Sequence, residues 1–503
     1  MFYATQNRLT APALVVLTIY GVVLFVLAWF HTIGQDEAQA WNIAAASQYP
    51  WDVLIHGEKE GHTPLWHIFL WFLLPFSVDA VPYATACFAL IFGFLLLRDR
   101  PFPLWICSLL IFGYFTLYDY PTIPRPYIIA MLFASLYASA LYNRCHNLIY
   151  LSLLLSMVAF SSAFGVLLSV PLGVLGLTIL WQDGWRPTFS KALVASVSIY
   201  VVTLVAAFYF IVFPLATNEY AVNIVTGGRA WEKDVAQAVL SSVFPHFIQL
   251  PLGIGGWLSS TEPGGLVVRI MCVLVVAATC LLLFSLRTGL LAWVVAILII
   301  SVGAKYSGTG IVRHLGHLYI AAFAIVWVAM RSGPVFRNIA LKRVVKVGIA
   351  PVLIGVLFYH ALLGLAGVYL SVKTPQATGR ILANYLEQHI AAPQLLITNN
   401  THDIGHVMAY LDIEVFDTVC GCWQRSADMS KSRKWDPVVL QEQWCHLYGA
   451  EKVEYALIST EDELPMDSRF RMLKQFMPLT RDNTDGPLQL WELTQQGVEQ
   501  CKS

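Results

Sequence analysis

Ala11 to Phe30 is a predominantly apolar run without a single charged side chain. About twenty such residues cross the hydrocarbon core of a bilayer. Segments of the same character recur at roughly 80–97, 103–118, 126–142, 148–163, 165–181, 192–213, 264–285, 289–304, 314–330 and 347–370. In hydrocarbon every backbone N–H and C=O must find its partner inside the protein, which restricts spanning segments to helices and closed barrels. Segments this long fit helices. The expected fold class is therefore an all-α polytopic transmembrane bundle of about eleven spans. No small-residue cleavage site follows the first run, so it reads as a retained anchor. Pro64 to Phe76 is short for a span and reads as an interfacial or re-entrant helix.

Composition agrees. Of 503 residues, 57% are hydrophobic and 12% charged, about half the charged share of a soluble chain. Mean hydropathy is +0.63. The formal net charge of +0 gives no broad attraction to nucleic acid, so any basic site must be local.

Charge placement sets an expected topology. With the N-terminus inside and the spans alternating, the cytoplasmic turns contain Arg98 and Arg100, Arg144, Arg186 and Lys191, Arg287, and finally Arg331, Arg337, Lys342, Arg343 and Lys346. That is a positive-inside pattern. The same alternation puts segments 31–79, 119–125, 214–262 and 305–313 outside, with the tail from about Ser371. The expected domains are a transmembrane unit, 1–370, whose first outer loop is 31–79, and a soluble extracytoplasmic unit, 371–503. In that unit Thr378 to His389 has helical spacing. Gln394 to Thr398, Glu414 to Val419, Tyr455 to Ile458 and Leu488 to Leu493 read as strands, and 403–411 as a helix, so a small α/β layer is expected.

Basic residues on the outer side are not needed by the topology rule. They are Lys59, Arg125, Arg229, Lys233, Lys305 and Arg313, with Arg269 near a span end. Arg125 and Arg313 read as site residues. Arg229, Lys233 and Arg269 read as anchors that reach to headgroups.

The first outer loop is rich in Asp, Glu, His and Lys. Asp36 and Glu37 follow the first span closely. Spacing alone favours Asp36 as a helix N-cap with Gln39 at the third position. His56, Glu58, Lys59, Glu60, His62 and His67 form a second cluster. It could bind a divalent cation near Asp36, although the spacing matches no tight metal motif and a solvated loop is the default. Trp41, Trp51, Trp66 and Trp71 fit an interfacial belt and would equally stack on a sugar ring. Further on, Asp119-Tyr120-Pro121-Thr122-Ile123-Pro124-Arg125-Pro126-Tyr127 carries three prolines that hold Arg125 at headgroup depth, where an Arg suits a phosphate. Lys305 to His317 is a Gly-containing turn with Arg313, His314 and His317. The two histidines are three apart and share a helix face.

Of nine Cys, Cys87, Cys107, Cys145, Cys272 and Cys280 accompany apolar segments and read as packing residues. Cys420, Cys422, Cys445 and Cys501 lie in the tail. A zinc site lacks a second close pair, and an extracytoplasmic tail favours disulfides. His402, Asp403 and His406 read as a helix start with Asp403 near the cap rather than as a metal cluster.

The Asp-Glu-Ala at 36–38, the His-Thr-Pro-Leu-Trp at 62–66, the Arg-Pro-Tyr at 125–127 and the late Arg-His loop occur together, in order and on one side. That set resembles the GT-C superfamily of membrane glycosyltransferases. It is most similar to the branch of dolichyl-phosphate-mannose protein mannosyltransferases and the lipid A aminoarabinose transferase, over roughly residues 1–330. The resemblance implies that Asp36 is the essential carboxylate and that the donor is a sugar on a polyprenyl phosphate in the outer leaflet. The acceptor is then a glycan, lipid or protein. Asp36 would take the acceptor proton, and Glu37 would orient an acceptor, a metal or a backbone group. His62, Asp119, Arg125, Tyr127, Lys305, Arg313, His314 and His317 would bind substrate, with the cations neutralising the leaving phosphate. No nucleotide cofactor or nucleic-acid partner is expected. The expected location is the bacterial inner (plasma) membrane, with an active site facing the periplasm. The chain departs from the family pattern at Ile123, where members often carry an acid and Asp119 is the nearest one here, and at Thr63-Pro64, where they often carry two prolines. A polymerase or ligase of lipid-linked oligosaccharide shares this geometry. A transporter or flippase would place ionisable groups near mid-membrane in repeated, broken helices, and no repeat is visible.

Overall fold

A computed structural model describes residues 9–57, 62–185, 190–217, 243, 263–286, 288–306, 312–332, 345–373, 379–390, 396–399, 401–418, 420–426, 437–451, 455–459, 469–476 and 488–502. Glu58, Lys59, Glu60, Arg186, Arg229, Lys233, Arg287, Arg337, Lys342 and Arg343 lie outside them, as do the side chains of Arg269, Cys272, Lys305 and Lys346.

The first part is helical: α1 (Ala11–Phe30), α2 (Gln35–Ala45), α3 (Val53–His56), α4 (Leu65–Leu73), α5 (Ala80–Asp99), α6 (Leu104–Ile111), α7 (Tyr120–Thr122), α8 (Tyr127–Tyr142), α9 (Leu148–Ala159), α10 (Ala163–Gln182), α11 (Lys191–Thr217), α12 (Pro263–Leu286), α13 (Leu290–Tyr306), α14 (Val312–Ala329) and α15 (Ala350–Lys373). Among the described residues five of these, α1, α5, α10, α11 and α15, are long and apolar enough to cross a membrane; α8, α9 and α14, with parts of α12 and α13, are apolar but shorter. Their outward faces are apolar as well. Val194, Val197, Val201, Val205 and Phe208 form an exposed stripe along α11. Such a stripe is a large apolar patch in water and an ordinary surface in hydrocarbon.

Local rules account for the helix boundaries. Asn147 caps α9 through Tyr150 N (3.1 Å), and Ser162 caps α10 through Gly165 N (2.9 Å). Arg100 ends α5 in the left-handed region, at φ 45°.

The segment expected to span at 103–118 is not one helix. α6 stops at Ile111, Gly113 is extended, and Tyr114–Asp119 forms a π-helix. The freed backbone groups are taken up locally. Tyr20 Oη of α1 donates to Thr116 O at 2.5 Å, and Thr116 Oγ1 donates to Leu110 O. α15 closes against this break because it carries glycine there. A methyl group on Gly364 would strike the Phe112 carbonyl, and one on Gly367 the Tyr118 ring.

The bundle has two distinct ends. At one, Arg98 donates to Ser139 Oγ (2.7 Å), Asn143 to Asp99 (3.1 Å), and Arg331 to Asp183 (2.7 Å), which also meets His146 at 2.8 Å. The helix ends expected to be basic and cytoplasmic therefore meet. At the other end lie α2 to α4, the Pro121–Pro126 turn and the start of α14.

The C-terminal part is a small sheet domain. It contains α16 (Gly379–His389), β1 (Leu396–Thr398), α17 (Gly405–Leu411), β2 (Val415–Asp417), β3 (Cys422–Gln424), α18 (Pro437–Glu451), β4 (Tyr455–Ser459), β5 (Phe470–Phe476), β6 (Leu488–Leu493) and α19 (Gln495–Lys502). The six strands run in the order β3-β2-β1-β4-β6-β5. β1 is parallel to β2 and β4, and the remaining pairs are antiparallel. Successive residues of a strand face opposite ways. Leu396, Leu457 and Leu490 pack under α16 and α17 with Leu382, Leu386, Val407 and Met408. Ile397, Ala456 and Trp491 pack on the other face under α18 with Leu440, Trp444 and Leu447. The four expected strands and both expected helices form. β3, β5, α18 and α19 are additions to that reading. Disulfides join Cys420 to Cys422 and Cys445 to Cys501.

Candidate active site

α2 begins beside the last turn of α1. Its N-cap is Gly34, which has no side chain to offer, so Glu37 reaches back in its place. Glu37 Oε2 accepts from Gly34 N at 2.8 Å and meets His31 Nε2 at 2.9 Å. Glu37 and His31 are both buried. Asp36 is therefore not the cap that spacing favoured; Gly34 is, with Glu37 at the third position. Glu37 thus holds a backbone group, one of the three roles open to it.

With the cap supplied by its neighbour, the Asp36 side chain is left 60% exposed. Arg125 Nη2 forms an ion pair with its Oδ2. Arg125 projects from the turn between α7 and α8, whose two flanking prolines exclude helix. Thr85 Oγ1 of α5 fixes the turn by donating to Pro121 O at 2.7 Å. The Arg125 guanidinium holds the Asp36 carboxyl below the usual carboxylate value, against the opposing effect of partial burial; His402 and Arg313 add to the lowering.

Beneath this pair lies a second set. Asp119 is buried and accepts from Tyr114 Oη at 3.4 Å. Arg313 is within charge interaction of both Asp119 and Asp36. Tyr120 Oη donates to Arg313 O (2.9 Å) and sits 3.3 Å from His317 Nδ1. His314 Nε2 is 2.7 Å from Tyr127 Oη, and its ring stacks on Phe164 with centroids 4.8 Å apart. Both His314 and His317 lie against Tyr127, as three-residue spacing requires. His62 lies close enough for its charge to act on His314. Asp36, Arg125, Tyr127, Asp119, Arg313, His314, His317 and His62 thus converge on one end of the bundle. Lys305 lies in α13, and its side chain is outside the described residues.

Among the described residues no three His, Cys, Asp or Glu side chains converge as a metal site.

The sheet domain completes this end. His402 Nε2 stands 3.9 Å from Asp36 Oδ1. Asp403 O accepts from Gln35 Nε2 (3.3 Å), Gly405 O from Asn42 Nδ2 (2.9 Å), and Tyr410 Oη from Ile33 N (2.9 Å). Asp403 does not cap α17, whose N-cap is Ile404; its carbonyl serves the seam instead. No spacing rule connects residues so far apart in the chain, and His402 as a neighbour of Asp36 is visible only in three dimensions.

No protein-family model matches the chain, and no curated protein matches it.

The arrangement combines one exposed carboxylate with two guanidinium groups at the rim of an apolar bundle. It can take a proton from a hydroxyl and hold an anion beside it.

Proposed function

We propose that this chain is an integral-membrane glycosyltransferase that moves a sugar from a polyprenyl-phosphate donor to a hydroxyl acceptor on the outer, periplasmic face. The observation that carries the reading is the ion pair between Asp36 and Arg125 at the rim of the bundle, with Arg313 in charge range of the same carboxylate. An inverting transfer needs a base for the acceptor hydroxyl and a stabilised leaving group. Asp36 takes the proton. The acceptor oxygen attacks the anomeric carbon, the sugar–phosphate bond breaks, and its electron pair leaves with the lipid phosphate, which Arg125 and Arg313 neutralise. Before the donor arrives Arg125 occupies Asp36 and weakens it as a base. A phosphate that draws Arg125 away frees the carboxylate when it is needed.

The eleven-span topology, with the N-terminus inside and the sheet domain outside, belongs to the same proposal. It is supported by the sorting of Arg98, Arg144 and Arg331 to one end of the bundle and of Asp36 and Arg125 to the other. The test is transfer from a panel of polyprenyl-phosphate sugars by wild type and Asp36→Ala. Normal transfer by the variant removes Asp36 from the chemistry. Single cysteines placed at positions 36, 125 and 313 are expected to react with an impermeant reagent from the periplasmic side, and cytoplasmic labelling at any of them breaks the topology.

A further inference from the structure

The sheet domain does more at its seam with α2 than rest on the bundle. Three hydrogen bonds tie it to the first loop, from Ile33, Gln35 and Asn42 to Tyr410, Asp403 and Gly405. Asn42 is fully buried, so this contact is part of the packed structure. Arg380 adds an ion pair to Asp79 just before α5, and its guanidinium lies over the Tyr410 ring at 5.5 Å. Asp36 lies beside this seam, and the domain residue that meets it is His402.

The segment carrying His402 is fixed from within the domain. Its neighbour Thr401 donates through Oγ1 to Asp417 Oδ2 at 2.8 Å, and Gln424 Nε2 donates to the same oxygen at 2.6 Å and to Thr401 Oγ1 at 3.0 Å. Asp417 is buried at the end of β2, and Gln424 lies on β3. The Cys420–Cys422 disulfide closes the turn between these strands. The β2–β3 hairpin therefore sets Thr401, and Thr401 sets the start of the His402 turn.

We propose that the sheet domain is part of the active centre, with His402 as a positioning residue that holds the Oδ1 side of Asp36 while Arg125 holds Oδ2. The role assigned to Asp36 rests on the glycosyltransferase reading; the pairing of His402 with Asp36 does not. Arg125 bonds one oxygen directly, and the His402 ring stands 3.9 Å from the other, within reach of an ionic contact when it is protonated. When a donor phosphate takes Arg125, His402 still holds Asp36 toward the acceptor.

The groups that bear on Asp36 are Arg125 from the proline turn, Arg313 from α14, Tyr127 from α8 and His402 from the domain. His402 in turn is flanked by Asp403 and acts on His406. The test compares wild type with His402→Gln in full-length protein in nanodiscs. Asp36 is labelled with a carbodiimide, which reacts with the protonated carboxyl, across a pH series and quantified by mass spectrometry. The variant is expected to label with a midpoint at higher pH, and its kcat to fall roughly tenfold with donor KM unchanged. An unchanged midpoint overturns the proposal, including when kcat falls, because that pattern marks a merely structural residue. Should His402→Gln not fold, Gln35→Ala loosens the seam beside Asp36 without entering the domain core, and the same midpoint shift is expected. Labelling needs no sugar transfer. A wild type that transfers nothing from any lipid donor defeats the glycosyltransferase reading alone, while the midpoint still decides the His402 pairing.

Discussion

Arg125 reaches Asp36 across 89 residues of sequence and forms an ion pair with the Oδ2 of its carboxylate. The two come from different elements, and each is held by something else. Asp36 is held by the helix start that Glu37 caps, and Arg125 by a proline turn pinned to Thr85. An ion pair built on two separate supports at the rim of an apolar bundle is costly to maintain for stability alone, since exposed pairs contribute only about 0–1 kcal/mol. Under the proposed transfer mechanism its value lies in the donor phosphate that displaces it.

Arg125→Gln is the direct test of that displacement. Arg125 lowers the Asp36 value, so the basic carboxylate exists above that lowered value and is lost as pH falls through it. Removing the guanidinium raises the value. The acid limb of the pH–rate profile is expected to move to higher pH, and the donor KM to rise as a phosphate partner is lost. A profile that keeps its acid limb separates Arg125 from the titration of Asp36.

Asp36 and Glu37 are adjacent acids with opposite duties, and substitution separates them. Glu37→Ala removes the cap on Gly34 and the partner of His31, and should cost about 1–2 kcal/mol, read as a lower thermal midpoint in detergent. Asp36→Asn leaves the cap intact. It is expected to keep the midpoint within about 1 kcal/mol of wild type and to lose transfer.

Cys445 and Cys501 are joined across a separation of 56 residues. Chain-entropy arguments give about 4 kcal/mol for a loop of that size. Alkylation without reductant should leave Cys420, Cys422, Cys445 and Cys501 unlabelled, and reduction should expose all four. Cys445→Ala should make the sheet domain much more sensitive to proteolysis while the bundle stays resistant.

The sequence makes much of this molecule legible because its main rule is solvent. Apolar runs become helices, Arg98 and Arg331 come to one end of the bundle, and period-two strands such as Leu488–Leu493 form where expected. What escapes is where backbone geometry or distant contact decides. Hydropathy averages over residues 103–118 and cannot see that the α-helix stops at Gly113, whose backbone is extended and where glycines of α15 press in. The capping pattern points to Asp36 because glycine has no side chain for the pattern to read, and the true cap belongs to Gly34 and Glu37. β5 carries Arg471 and Lys474 on an edge strand, so its alternation is masked by charge. His402 has no local signature linking it to Asp36.

Gly316 offers a final test, of how tightly the site is assembled. A Cβ there would lie 2.5 Å from Phe115 Cε1 and 2.6 Å from Tyr120 Oη. Both atoms belong to packed rings, and Tyr120 also holds the Arg313 carbonyl at 2.9 Å. Neither can retreat without moving the first turn of α14. Gly316→Val should therefore push α14 off the π-helix, at about 1–3 kcal/mol for overpacking, and carry Arg313 and His317 away from Tyr120. Thermal stability and transfer are expected to fall together. Gly355, in α15, meets nothing within 4 Å of a built Cβ. Gly355→Ala should leave transfer unchanged and raise stability slightly, since alanine is favoured over glycine inside a helix by about 1 kcal/mol. Equal effects at the two positions would mean that the close approach of α14 to Phe115 and Tyr120 does not hold the site together.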